Sequence, residues 1–185
     1  MMLSTVNEVH DWLMFWKDDP TFSDVKLDYD PETINIKRSA IVVRDHLPIT
    51  QSFTNDIKWT MLTKGGFSNL LSDKKLNEGR YFAFDSIRIG QSGDQDYYSN
   101  NEADWAPIFR NAFLEISQGK RIFIEYPVCG LGKSTSSSIF HLGESQIICP
   151  LEDLNINIHL DFKEGGKLNG PMHTEVILFG FLIKT

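Results

Sequence analysis

Two cysteines, Cys129 and Cys149, are all this chain of 185 residues has for disulfide chemistry. One pair makes no disulfide framework, and their spacing fits no metal motif, so buried free thiols are expected. A basic excess is also missing. Eighteen Lys and Arg stand against twenty-five Asp and Glu, a formal charge of -7. Phosphate backbones require a basic surface, so direct nucleic-acid binding is not expected. The short clusters Lys37-Arg38 and Lys74-Lys75 sit beside acids and read as solvated faces. No run reaches the length of a transmembrane helix. No secretory signal is legible, because the N-terminal apolar stretch is short, lacks a basic flank and is bordered by acids. The protein is therefore expected to be intracellular when made. Five histidines are scattered without a nucleophile motif. Paired glycosidase carboxylates are defined by distance in space, and nothing in the chain favours them. Neither an enzyme nor a cofactor is expected.

What the chain does have is alternation. From Asn155 to Phe162, Ile156, Ile158, Leu160 and Phe162 share one face, while Asn155, Asn157, His159 and Asp161 share the other. That is a strand with a dry side and a wet side. Glu175 to Ile183 is different. Val176, Leu178 and Leu182 lie on one side, and Ile177, Phe179, Phe181 and Ile183 on the other. Both faces of this strand must be covered, by the same chain or by another subunit. The content of 13 Phe and 4 Trp suits a thick core or an interface.

Near the N-terminus, Thr5 to Lys17 predicts a helix. Thr5 and Glu8 have the spacing of a capping box, and Val6, Val9, Leu13 and Trp16 recur at helical intervals. Trp12, Met14 and Phe15 widen the apolar surface, and Pro20 ends the helix. Such a helix docks on the sandwich or grips a neighbouring subunit. Peripheral membrane contact is the alternative use, disfavoured by the few Lys and Arg on its polar side. Further strands are predicted at Ile34–Arg44, Ile57–Leu62, Tyr81–Ile89, Ala112–Ile116, Arg121–Tyr126 and Gln146–Cys149, with a short helix at Phe67–Lys75. Glycine- and asparagine-rich turns separate them. Ala112–Ile116 and Arg121–Tyr126, joined through Gly119, form an expected hairpin. About eight strands without repeated helices predict an all-β antiparallel sandwich, most simply a jelly roll. An N-terminal helical arm (residues 1–20) then precedes a single jelly-roll domain (residues 21–185), the expected organisation for this length.

Three constellations offer chemistry. Gly130-Leu131-Gly132-Lys133-Ser134 is half of a phosphate loop, but Pro127 stands where the first glycine belongs and no helix follows. His159 and Asp161 lie on one strand face, and with His173 they have the composition of a two-His, one-carboxylate iron site. The polar loop Gly90–Asp104 gathers Asp94, Asp96, Asn100, Asn101, Glu102 and Asp104, oxygen ligands of the kind calcium takes. Tyr97 and Tyr98 in that loop suit sugar stacking or a protein contact. Trp105 and Phe109, flanking Pro107, are expected to anchor its return to the core.

The order of segments resembles the jelly-roll capsid proteins of tailless icosahedral viruses, bacteriophages especially. Asn77-Glu78-Gly79-Arg80-Tyr81-Phe82-Ala83-Phe84-Asp85-Ser86-Ile87-Arg88-Ile89 looks like a central sheet strand. The hairpin around Gly119 and the closing strands Asn155–Phe162 and Val176–Ile183 resemble the later strands of such a roll. Many of these viruses use two rolls in one chain, whereas this chain has strands for one. The resemblance implies a single-roll virion subunit, vertex or coat, that self-assembles with copies of itself and with other virion proteins. It implies an interface buried between subunits, drawn from Trp12, Phe15, Trp16, Ile177, Phe179 and Phe181. The alternatives are a carbohydrate- or protein-binding sandwich module and, further off, an iron enzyme on a β scaffold.

Overall fold

A computed structural model describes residues 5–18, 33–47, 56–61, 69, 73–92, 98–132, 139–161 and 171–185. The chain begins with helix α1 (Val6–Asp18). Its start is the expected capping box: the Glu8 N–H donates to Thr5 Oγ1 at 3.2 Å, and the Thr5 N–H donates to Glu8 Oε2 at 2.9 Å. Each link satisfies a backbone donor that has no partner inside the helix. Strands follow at β1 (Asn35–Leu47), β2 (Ile57–Thr60), β3 (Arg80–Ser92), β4 (Phe113–Gln118), β5 (Arg121–Pro127), β6 (Phe140–Ile148), β7 (Leu154–Leu160) and β8 (Met172–Lys184). A one-turn helix α2 (Pro107–Arg110) precedes β4. Among the described residues, no helix is long and apolar enough to cross a membrane.

The strands form two four-stranded antiparallel sheets, ordered β1-β8-β3-β6 and β2-β7-β4-β5. Their inner faces meet in one core. Ile41 and Val43 of β1, Phe82, Phe84, Ile87 and Ile89 of β3, and Val176, Leu178 and Leu182 of β8 come from the first sheet. Trp59, Leu114, Ile116, Ile124, Ile156 and Ile158 come from the second. Alternation selects these residues, since every second side chain of a strand points the same way. Trp105 and Phe109 close one end of the core, their rings packed edge to face at 5.3 Å.

Near its C-terminal end, the two-faced strand β8 finds cover for both faces inside the chain. One face joins the core. On the other, Phe181 and Ile183 pack with Tyr81, Ala83 and Ile147 under Val9, Trp12 and Leu13 of α1. Of the two covers expected for this surface, the same chain or another subunit, the same chain supplies that of Trp12 and Phe181, which are 8% and 2% exposed within it. A short amphipathic helix across the outer face achieves what the apolar pattern demanded, and each buried side chain contributes roughly 1.5–3 kcal/mol. Ile177 is buried as well, Phe179 is half-buried, and Phe15 stands 68% exposed. The side chain of Trp16 lies outside the described part.

Two local features set the register. Gly180 faces Phe84 where β3 bulges, and a Cβ there would run into the carbonyl oxygen of Ala83. Glycine lets the two backbones approach at the irregularity. Gln118, fully buried at the end of β4, reaches across to the β6–β7 connection. Its amide donates to the carbonyls of Cys149 (2.9 Å) and Glu152 (3.2 Å), and its Oε1 accepts from the Cys149 N–H at 2.9 Å. It pairs with that backbone much as a strand would, and so ties one sheet to the other.

Strand β6 is longer than its sequence suggested, because Phe140–Ser145 precedes the expected Gln146–Cys149. This first half lies on a sheet edge, half exposed, and carries Gly143, so it shows no clean alternation. The strands β1, β3 and β8 also run past their expected ends, while β2 stops at Thr60. The expected helix Phe67–Lys75 falls mostly outside the described residues.

Candidate functional site

The outer face of the β2-β7-β4-β5 sheet is polar and uncovered by any described element. Register places its side chains in rows across the strands. Asn155, Ser117 and Ile122 form the first row. Thr60, Asn157, Glu115 and Glu125 form the second, and Lys58, His159, Phe113 and Pro127 the third. Each strand supplies alternate residues to this face because the intervening ones fill the core.

Glu115 is the hub. Its Oε1 accepts from Asn157 Nδ2 at 2.6 Å and from Lys58 Nζ at 3.2 Å. Its Oε2 lies 3.2 Å from His159 Nε2, a contact that requires the proton on that nitrogen while the carboxylate is ionised. Asn157 is itself fixed, since its Oδ1 accepts from Thr60 Oγ1 at 2.8 Å. Burial alone would raise the Glu115 pKa. The hydrogen bonds from Asn157 and Lys58, with the charges of Lys58 and His159, outweigh that and hold it below the usual value. Two open concavities flank the hub and share Lys58. One, of about 490 Å³, lies over Thr60, Ser117, Asn155 and Asn157 and reaches Lys120 and Ile122. The other, of about 400 Å³, is lined by Asp56, Asn111, Phe113, His159 and Asp161.

A second polar group sits on the outer face of the other sheet, in the part holding β8's first half. Glu175, with a side chain 6% exposed, accepts from Arg44 Nε at 2.7 Å and from Arg88 Nη2 at 3.1 Å. The Arg44 guanidinium also stacks 5.5 Å from the Tyr98 ring centroid. Nearby on that sheet, Ser86 Oγ donates to Asp85 Oδ1 at 2.5 Å and lies 2.9 Å from His141 Nδ1. Serine, histidine and aspartate meet here, but serine stands in the middle. A nucleophilic triad needs histidine between the other two, so this arrangement does not activate the hydroxyl.

The sequence-predicted residues scatter over these surfaces. His159 and Asp161 lie at the second concavity. His173 belongs to the other sheet, where its ring stacks on His46 with centroids 5.5 Å apart. Consecutive strands β7 and β8 enter opposite sheets, so their closeness in sequence does not bring the three groups together. Among the described residues, no set of three His, Cys, Asp or Glu side chains is placed to hold a metal ion. Of the polar loop, Asp94, Asp96 and Tyr97 fall outside the described residues. Tyr98 is half-buried against Arg44, and Asp104 accepts from Ser99 Oγ at 2.5 Å. Of the half phosphate loop, Gly130 closes a one-turn 3-10 helix, and residues 133–138 fall outside the description.

Cys149 is half-buried, and burial pushes its thiol pKa up despite the Arg121 guanidinium beside it, so it stays a protonated thiol at neutral pH. Cys129 is exposed, contrary to the expectation that both thiols are buried. Glu115 was missed in the sequence. Its signal was there in the alternation Phe113-Glu115-Ser117, the wet half of a strand whose centrality only the sheet order reveals. No protein-family model matches the chain, and no curated protein matches it.

Proposed function

We propose that the sandwich is a jelly roll and that the chain is a structural subunit of a virion shell, assembling with copies of itself and with other virion proteins. The strand pairing carries this reading. Strands β1 and β8, β2 and β7, β3 and β6, and β4 and β5 are partners, as in one long antiparallel hairpin with its tip at Gly119. Rolling that hairpin up adds the contacts β8·β3 and β7·β4, which complete the two sheets. Eight strands wound this way are a recurrent solution for shell proteins and lectins, because a rolled hairpin leaves few free edges. The acidic balance fits a wall that does not itself neutralise a genome.

To Phe15, already expected at an interface, the structure adds a second candidate surface for assembly. Strands β5 and β6, one edge of each sheet, meet on one flank through the Tyr126–Phe140 contact at 5.0 Å. Ile122 (59% exposed), Tyr126 (40%) and Ile139 (38%) stand open on that flank, and Phe15 stands open on α1. Apolar groups along paired sheet edges suit contact with a neighbour. Mass measurement by light scattering with negative-stain imaging tests the reading. The expected result is closed oligomers or particles that Ile122→Asp and Tyr126→Ser weaken. A monodisperse monomer over a hundredfold range of concentration would overturn it.

A further inference from the structure

The outer face of the β2-β7-β4-β5 sheet interleaves hydrogen-bond donors and acceptors along two open concavities, and we propose that it binds a neutral glycan. The charges of the two concavities nearly balance. Lys58 and Lys120 oppose Glu115, Asp56 and Asp161, with His159 between them. A strongly charged ligand of either sign therefore gains little net attraction. Donors and acceptors are interleaved instead. Lysine ammonium and asparagine amide groups donate, the carboxylates and amide oxygens accept, and Thr60 and Ser117 do both. A sugar hydroxyl also does both, and a pyranose carries several of them on a rigid frame.

The geometry suits an extended ligand. Successive rows lie two residues apart along β4 and β7, so the three rows span about 14 Å along the strands. Phe113, 49% exposed, ends this track beside His159 and offers its ring to the C–H face of a sugar. The centre is already ordered, because Thr60, Asn157, Glu115, Lys58 and His159 hold one another. An ordered site loses less entropy when a ligand arrives. Against its burial, hydrogen bonds from Asn157 and Lys58 help hold the Glu115 pKa below its usual value, so its carboxylate is ionised at neutral pH and accepts hydrogen bonds there. The site shares only Ile122 with the proposed assembly flank, and it lies on the other sheet from Arg44, against which Tyr98 packs.

Affinity electrophoresis of the full chain through soluble glucan, xylan, mannan and galactan, with heparin as an anionic polymer, tests it. At least one neutral polysaccharide should retard the protein. Phe113→Ala and Glu115→Gln should each weaken that binding at least tenfold with unchanged circular dichroism, and Lys120→Met should weaken it less. Tyr98→Ala should bind as the parent does, and titration with the retarding glycan should shift the side-chain amide resonances of Asn155 and Asn157. Retardation by heparin alone, by no neutral polymer, or undiminished from the parent in both Phe113→Ala and Glu115→Gln would overturn the proposal, as would loss of binding in Tyr98→Ala only.

Discussion

The two sheets each turn one face to a shared core, and their outer faces go opposite ways. On β1-β8-β3-β6 the surface around Phe181 and Ile183 is apolar and lies under α1. On β2-β7-β4-β5 the matching surface is a grid of Asn, Thr, Glu, Lys and His around Glu115. One face is a second, smaller core, and its stability comes from removing apolar area from water. The other is wet, and its order comes from hydrogen bonds worth little net energy each. The contrast makes the first face structural and leaves the second available for recognition.

The comparison breaks most sharply at the covered face. Phe181→Ala should cost about 3–5 kcal/mol in urea unfolding, because α1 then lies over a cavity. The cost should not change with protein concentration; dependence on concentration would mean that a second chain supplies part of the cover. Next comes the bridge between the sheets. Gln118→Ala should cost about 2–3 kcal/mol, since it leaves the Cys149 N–H and the Cys149 and Glu152 carbonyls without their buried partner. Retention of parental stability there would show that water replaces the amide.

Effects on the wet face should be smaller. Glu115→Gln should cost about 1 kcal/mol at neutral pH, through weakened bonds to Asn157, Lys58 and His159. The folded pKa of Glu115 lies below its unfolded value, so its contribution is present above the unfolded pKa and is lost as pH falls through the folded one. Parent and variant should therefore converge in acid; a gap that widens there would assign the wrong sign to the shift. Smallest of all, Phe113→Ser should move stability by no more than about 0.5 kcal/mol, as expected for a half-exposed ring on a solvated face. A larger loss by thermal unfolding would mean that this ring belongs to the fold rather than to a ligand track.

Alternation alone decided much of this molecule. Asn155 to Phe162 announced a wet and a dry side (Phe162 itself falls outside the described residues), the capping box Thr5–Glu8 announced the start of α1, and Glu175 to Ile183 demanded cover on both faces. These are local rules, written into periods of two and 3.6 residues. Partners are not local. Only the strand order of the two sheets decided that α1 would cover Phe181 and that β7 and β8 would enter opposite sheets, parting His159 from His173. The same topology set Glu115 of β4 beside Asn157 of β7. Periodicity tells a side chain which way to point, but the path of the chain through space decides what it meets there.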